Sequence, residues 1–429
     1  MSLNGEKLLN RMSDVDSTLI ISAESVRKSK KLFIKIGAVA ASAAVAAAVV
    51  GLGFIPKNGS WTPLRPEELP ELPSLKVGVL ENNGMGFAAY RVSELEKKKE
   101  KTDPINYNFS IREMPVYSCR SADPDVEQMR TRMREVIDYF GLDYDSLNIS
   151  EHVTDEQQIR DTFEPLGAPE EEIQRLLEQS RNMTSIYARE KEREELTGIS
   201  IDIDASLTVS IILTHPEQDD EGYYSIEAGG IEFPKEYNFA LGVSAKEEER
   251  TGRYLLEKFS GLIDMKEPVF VKGSEYDYGE LPYAEFYEKG ETDAESIANQ
   301  NIKRVAFYGT EDGRLKIIRI WEEYRHCEKL GDYPISNLEQ ATELLRNGSY
   351  YTNSPYELTG KEEIGFVELT YWSGYKQSCA MPFYCFYVKL PEEEYYNEHF
   401  GEGEYGFYYV PAVRGEYLEN FDTPTFYFN

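Results

Sequence analysis

The chain has 429 residues, with 46 Lys and Arg against 77 Asp and Glu, and its net charge of −31 argues against nucleic acid as a partner. Hydrophobic residues make up 41% and aromatics 13%, which excludes a disordered acidic chain and provides for a sizeable core. Four cysteines, Cys119, Cys327, Cys379 and Cys385, are too few for a disulfide framework; three pairings are open to them, and only Cys379 with Cys385 is local.

Residues 1–31 read as a short cytoplasmic segment. Leu8, Met12, Val15 and Leu19 recur at helical spacing, interrupted around Ser13 and Asp14, so the segment is either one or two short helices docking on a cytoplasmic regulator or a marginally ordered tail. Residues 32–55 follow as a transmembrane helix. Ile36 to Ile55, IGAVAASAAVAAAVVGLGFI, contains no charge and spans roughly 30 Å as a helix, the hydrocarbon thickness of a bilayer. Arg27, Lys28, Lys30, Lys31 and Lys35 stand just before it, whereas Lys57 and Arg65 are the only basic residues in the twenty that follow. That asymmetry predicts a cytoplasmic N-terminus and an exterior C-terminal part. The rival reading, a cleaved signal peptide, fits less well: its apolar core is about 7–15 residues and lies nearer the start of a chain. Gly37/Ala41, Ala44/Ala48 and Ala47/Gly51 have small-xxx-small spacing, a pattern that an Ala-rich span also shows by chance.

The membrane divides the charge. Residues 1–56 carry seven Lys/Arg and four Asp/Glu, net +3, so residues 57–429 carry −34 of the total −31. Such an exterior repels nucleic acid and anionic lipid and could draw cations or basic peptides, although a solvated acidic surface explains it as well. Residues 56–73, with Pro at 56, 63, 66, 70 and 73, favour a polyproline II spacer of at most roughly 55 Å.

The exterior predicts an α+β fold, with antiparallel sheets packed against helices in two lobes, residues 74–270 and 271–429. Asp123-Pro124 opens a helix with Val126, Met129, Met133, Ile137 and Phe140 on one face, closed by Gly141. Residues 169–196 read as a charged surface helix. Ser244/Glu247, Thr292/Glu295 and Ser336/Glu339 have capping-box spacing, each before a helical pattern. Every odd position from Ile199 to Ile211 is apolar, which predicts a hairpin around Asp204-Ala205-Ser206 that pairs Ile203 with Leu207. Val305–Tyr308 and Leu315–Trp321 flank Asp312-Gly313 as a second hairpin, and Val269–Lys272 reads as a strand that could end the first lobe. Ile364–Trp372, Phe383–Leu390 and Tyr405–Val410 form an aromatic meander after the last helix.

The run LLNRMSDVDSTLIISAES, the basic cluster and the Ala-rich span after it resemble the start of uncharacterised single-pass membrane proteins of anaerobic Gram-positive bacteria, some of them described as anti-sigma-factor-like. EMPVYSC, SGLIDMKEPV, RVAFYGTEDGRLKIIRIW, GDYPISNLEQATELLRNGSY and YGFYYVPAV extend the likeness over most of the chain. The resemblance implies a membrane anchor and a regulatory role, but no chemistry. The His-x₃-Cys-x₂-Cys zinc pattern of such anti-sigma proteins is missing before the anchor: the first Cys is Cys119 and the first His is His152. The helix followed by an antiparallel meander near the C-terminus is similar in pattern to small PepSY-like extracytoplasmic modules, which restrain proteases or tune sensor kinases.

No catalytic, cofactor or metal motif stands against its structural alternative. Gly84-Met85-Gly86-Phe87-Ala88-Ala89 fits G-x-G-x-x-A, yet three polar residues separate it from the preceding apolar run, so Asn83-Gly84 reads better as a turn. Asp143-x-Asp145 and Asp202-x-Asp204 break the EF-hand pattern at Leu147 and Ser206, and Asp219-Asp220-Glu221 has no fixed geometry. His152, His215, His326 and His399 show no metalloprotease spacing, and neighbours such as His326-Cys327 point to opposite faces of a strand. No cofactor is therefore expected. The binding surface the sequence nominates is the outward half of the aromatic strands, Tyr371, Trp372, Phe383, Tyr387, Tyr408 and Tyr409, as a peptide or glycan groove.

Three functions follow as expectations. The first is a single-pass membrane protein, with the bilayer as partner through residues 36–55, an extracellular acidic domain that binds a protein, peptide or other ligand, and a cytoplasmic regulator as its relay. The second is an extracytoplasmic hydrolase of cell-wall glycan or peptide. The third is a passive surface spacer.

Overall fold

A computed structural model describes residues 69–77, 89–118, 124–190, 198–214, 243–271, 283–310, 313–325, 327–352, 356–372, 379–391 and 404–419, with a few shorter pieces between them. The cytoplasmic segment, Ile36–Ile55, most of the proline-rich linker, Gly84 to Ala88, Cys119, His215, Asp219 to Glu221, His326 and His399 lie outside the described residues. Among the described residues no helix is long and apolar enough to cross a membrane.

The fold is α+β, as the sequence predicts, with two large antiparallel sheets and seven helices among the described residues. In chain order, β1 (Ala89–Tyr90) and α1 (Val92–Lys101) lead to β2 (Glu113–Ser118). The chain then builds α2 (Val126–Tyr139), β3 (Leu147–His152), α3 (Glu156–Phe163), α4 (Glu170–Asn182), β4 (Ser185–Glu190), β5 (Gly198–Asp204) and β6 (Val209–Thr214). There follow α5 (Ala245–Lys258), β7 (Pro268–Val271), β8 (Tyr283–Glu288), α6 (Asp293–Ile302), β9 (Arg304–Gly309) and β10 (Leu315–Trp321). It closes with β11 (Lys329–Pro334), α7 (Leu338–Arg346), β12 (Tyr351–Thr352), β13 (Ile364–Trp372), β14 (Cys379–Lys389) and β15 (Tyr405–Pro411).

The first sheet has eight strands in the order β3-β4-β5-β6-β10-β9-β8-β7. It consists of two halves on one plan, a 14-residue helix (α2 or α5) and then four antiparallel strands, joined edge to edge where β6 pairs with β10. The halves differ in their insertions: α3 and α4 follow the first strand of one, and α6 follows the second strand of the other. Both long helices bury their apolar stripe on one face of the sheet. Met129, Met133 and Val136 of α2 and Leu255 of α5, with Phe259 at its cap, share a core with Ile201, Ile211, Phe286, Phe307 and Ile318. The Asp125 side chain accepts from the Gln128 N–H at the start of α2, and Ser244 with Glu247 forms the predicted capping box of α5. Beneath α2 the buried Arg132 donates to both oxygens of Glu322, at 2.7 and 3.2 Å, and to the Leu262 carbonyl, tying both halves to the end of β10. Burial pushes the Glu322 carboxyl up, although Arg132 and Arg325 pull it the other way.

The second sheet has seven strands. β15 lies between β1 and β14, β13 flanks β14 and β12 joins β15, while the start of β14 pairs with β2, which pairs with β11. Ten successive residues of β14, Cys379 to Val388, are buried, because both faces of this sheet are covered. Ile297, Ala298 and Ile302 of α6 and Ala341 and Leu345 of α7 pack on one face, and Leu75, Val77, Tyr417 and Leu95 of α1 on the other. α6 therefore connects two strands of the first sheet but buries its apolar face against the second. Asn106 and Gln300 exchange side-chain hydrogen bonds of 2.9 and 3.0 Å at the same junction, and the Tyr287 hydroxyl donates to Asp103 at 2.8 Å.

Several predicted details are corrected. The lobe boundary at 270/271 falls inside the first sheet, where Phe270 of β7 pairs with Phe286 of β8. The pairing instead makes residues 124–321 an insertion between β2 and β11 of the other sheet, a relation between strands too distant for sequence pattern to show. The helix expected over 169–196 ends at Asn182, and β4 takes over with Ile186 and Ala188 in the core. The hairpin sets Ile203 opposite Val209 rather than Leu207. Leu207 adopts φ +59° and is buried, so apolar burial holds a strained turn, which Asp204 supports by accepting from the N–H groups of Ser206 and Thr208. Asn337 and Gln340 cap α7 in place of Ser336 and Glu339, and Ser336 gives its carbonyl to the Tyr384 hydroxyl. Thr292 caps α6, but the Glu295 carboxylate accepts from the Glu291 N–H instead of completing the box.

Gly252 of α5 supplies a test of this packing. A Cβ there would lie 2.6 Å from the Phe286 ring and 3.0 Å from Ala284 Cβ, both buried. Helix propensity alone favours Gly252→Ala by about 1 kcal/mol, while overpacking costs about 1–3 kcal/mol. The substitution is expected to lower stability in urea unfolding, against the propensity rule.

Candidate functional site

The aromatic residues nominated from sequence are mainly core. Phe383 and Tyr408 are 0% exposed, and Tyr371 and Tyr387 are buried. Their hydroxyls are satisfied inside: Tyr371 donates to the Pro115 carbonyl at 2.6 Å, Tyr387 to Glu368 at 2.8 Å and Tyr408 to the Tyr356 carbonyl at 3.1 Å. Tyr409 is half-buried and stacks edge-on against Phe383 and Phe407. Trp372 ends β13, its backbone opposite Met381. The expected outward half is lost because helices cover one face and the segments around Leu75, Leu95 and Tyr417 the other. The acidic pairs resolve into turn and strand: Asp143 accepts from the Asp145 N–H, and Asp204 supports its hairpin. Cys379 and Cys385 stand six residues apart on β14, about 20 Å along a strand and beyond disulfide reach. His152 is exposed on β3, and Cys327 is half-exposed.

A different region gathers polar and aromatic groups: the face of the eight-stranded sheet opposite α2 and α5, where Ala306, Glu285, Tyr287 and Ser200 are buried and Asp202, Ser210, Ile317 and Arg319 half-buried. Strand register lays out one row across it, Ser150–Tyr187–Asp202–Ser210–Arg319–Ala306–Glu285–Val271, one residue from each strand. The next row places Ser200, Ile212, Ile317, Tyr308 and Tyr283 in sequence, and on the other side Trp321 faces Arg304 and Arg304 faces Tyr287. Alternation explains the set, since Ile201, Ile211, Ile318, Val305 and Phe286 between these residues point into the core.

Arg319 is the centre of the row. Its lateral neighbours, Ser210 and Ala306, are small, and along its own strand the Trp321 ring lies 5.2 Å from the guanidinium. The Arg304 guanidinium sits 4.0 Å from the same ring. Such contacts are worth about 0.5–1 kcal/mol when exposed. Arg304 is also engaged by Glu285, at 3.0 Å, and Glu285 accepts the Tyr283 hydroxyl. The Nε atoms of both arginines are buried without a hydrogen bond; Arg319 differs in that no described residue hydrogen-bonds or ion-pairs with any part of its guanidinium. An unmet buried donor costs about 1–3 kcal/mol, so the position favours an incoming acceptor.

Asp202 lies two strands away, half-buried, with no hydrogen bond or ion pair to a described residue. Burial raises its pKa, the Asp204 charge adds to this, and Arg319 opposes both. Burial likewise raises the Tyr308 hydroxyl, with Arg319 as the chief opposing influence. The face thus offers a cation and an anion held apart, with tyrosine and tryptophan rings beside them. The row could not be assembled from sequence, though one signal was present: Asp202 and Arg319 are charged residues between aliphatic neighbours in period-two strands, which places them on the solvent side.

No family model matches the chain, and no curated protein matches it. Among solved structures the chain is similar to an uncharacterized protein from Eubacterium rectale ATCC 33656, at 10% identity over 71% of this chain and 85% of that chain. The TM-score is 0.33, a likeness that carries no argument about fold or activity.

The electrostatics of Asp202 give a signed prediction. Burial disfavours its carboxylate, so the folded protein keeps the proton to higher pH than the unfolded chain does. This group's contribution to stability is fullest below the ordinary value of 3.8 and falls as pH rises through the raised folded value. Asp202→Asn is expected to match the parent at the acid end and to gain stability over it as pH rises, read by urea unfolding at a series of pH values.

Proposed function

We propose that the chain is a single-pass membrane-anchored binding protein. Residues 36–55 hold it in the bilayer, the acidic α+β body stands outside, and residues 1–31 pass the bound state to a cytoplasmic regulator. The outer face of the eight-stranded sheet receives the ligand. The observation that carries this reading is Arg319, a half-buried guanidinium on a sheet face whose hydrogen-bonding capacity no described residue meets.

The acids on this face disfavour the hydrolase: Asp204, the carboxylate nearest Asp202 along β5, is taken up by its turn, accepting from the Ser206 and Thr208 N–H groups, and the next is distant. Paired carboxylates in glycoside hydrolysis stand about 5–9.5 Å apart. Asp202 on β5 and Glu285 on β8 are separated by β6, β10 and β9, four strand steps or about 19 Å between backbones. Glu285 is further committed to Arg304. A passive spacer offers no reason to keep Arg319 and Asp202 on one face without a hydrogen bond or ion pair to any described residue.

Two measurements test the proposal. Protease added to intact cells should digest the C-terminal body and spare the tail before the anchor; the reverse pattern overturns the topology. A photo-crosslinking side chain at Ile317, half-buried beside Arg319, should capture a defined partner or ligand in native membranes; a uniform absence of adducts there, with adducts elsewhere, removes this face as the site.

A further inference from the structure

The geometry narrows the ligand class, on the premise that the outer sheet face is the binding surface. Asp202, Ser210 and Arg319 stand on three adjacent strands, β5, β6 and β10, directly opposite one another. Their side chains share one face, because Ile201, Ile211 and Ile318, the neighbouring residues on the same strands, all point into the core. Two strand steps set the backbones of Asp202 and Arg319 about 10 Å apart. Between them Ser210 presents only a short hydroxyl.

The same face carries its own contrast. Arg304 and Glu285, on adjacent strands, close on each other at 3.0 Å and add the Tyr283 hydroxyl. Asp202 and Arg319, one strand further apart, attract each other electrostatically yet form no ion pair or hydrogen bond with any described residue. What fits between an anchored anion and an anchored cation is a short dipole of the opposite sense, with an ammonium for Asp202 and a carboxylate for Arg319. A guanidinium can match a carboxylate with two parallel hydrogen bonds.

Net charge selects further. Residues 57–429 carry −34, so a ligand that is only anionic must approach against the field of the whole body. A ligand that is only cationic leaves the Arg319 guanidinium unmet. A neutral zwitterion escapes the long-range repulsion and satisfies both groups. We propose that the Asp202–Ser210–Arg319 row binds a small zwitterion through its ammonium and its carboxylate: a free α-amino acid or a dipeptide.

The test uses the full chain in detergent micelles or nanodiscs, with saturable binding followed by calorimetry and by thermal shift. The probes are the common free amino acids, a set of dipeptides, and for each binder its N-acetyl form, which lacks the ammonium, and its amide, which lacks the carboxylate. At least one free amino acid or dipeptide is expected to bind at millimolar concentration or below, and removal of either charge should weaken it tenfold or more. Binding by amino acids, dipeptides or both identifies the source within the proposed class. Arg319→Gln and Asp202→Asn should each weaken it tenfold or more in a chain that still unfolds cooperatively. If a variant fails to fold, the comparison of ligand derivatives on the parent protein still decides.

No saturable binding by any zwitterion overturns the inference. Equal binding by an N-acetyl form overturns it too, pointing to a site for anions alone. In either case an adduct captured at Ile317 keeps the binding-face reading standing, and failure of both experiments removes both.

Discussion

The pairing of β6 with β10 is the constraint on which the first sheet depends. Four residue pairs, Ile212 with Ile317, Ile211 with Ile318, Ser210 with Arg319 and Val209 with Ile320, join two four-stranded halves into one surface. Ile211 and Ile318 are 0% exposed, under the helices. A slip of one residue would turn Arg319 into that core and leave isoleucine on the other side, exchanging favourable apolar burial for a charge in low dielectric. The register that closes the core therefore also sets Ser210 opposite Arg319. Packing and the candidate binding row are two consequences of one alignment.

The second sheet uses its aromatic content in another way. Tyrosines on β13, β14 and β15 bury their rings and satisfy their hydroxyls inside the protein, on Pro115, Ser336, Glu368 and Tyr356. Burial holds the hydroxyl of Tyr384 well above its ordinary value, as expected of a phenol removed from water. α6 joins the two sheets: its Ala294, Ile297, Ala298 and Ile302 belong to the core of the second, while its ends continue into strands of the first. A shift of α6 against one sheet is thus a shift of β8 and β9 in the other. The outer face of the first sheet includes residues of both strands.

Local signals in the sequence were readable wherever they determined local structure. The α+β class, the capping box at Ser244, the period-two strand from Ile199 and the Asp312-Gly313 hairpin follow from short-range pattern, and Gly313 has φ +88° as such a turn requires. What could not be read was long-range. Alternation fixed which side of β5 Asp202 occupies, but not that β6 meets β10 across a hundred residues of chain. The aromatic strands misled for a related reason: period-two arguments assume one wet face, and β14 has none. The turn at Leu207 required knowing that a buried leucine outweighs an unfavourable φ.

The insertion of the eight-stranded body between β2 and β11 bears on the order of folding. Tyr117 and Lys329 are cross-strand partners although more than two hundred residues separate them. Closing so long an open chain carries an entropic cost that grows with the logarithm of its length, and that cost shrinks once the intervening segment is compact and brings its own ends together. During synthesis the inserted body leaves the ribosome before β11 and β14 exist, so its own strands can pair first while β2 waits with both edges unpaired. The seven-stranded sheet is then the last part to form and the first to lose its margin when the inserted body is weakened.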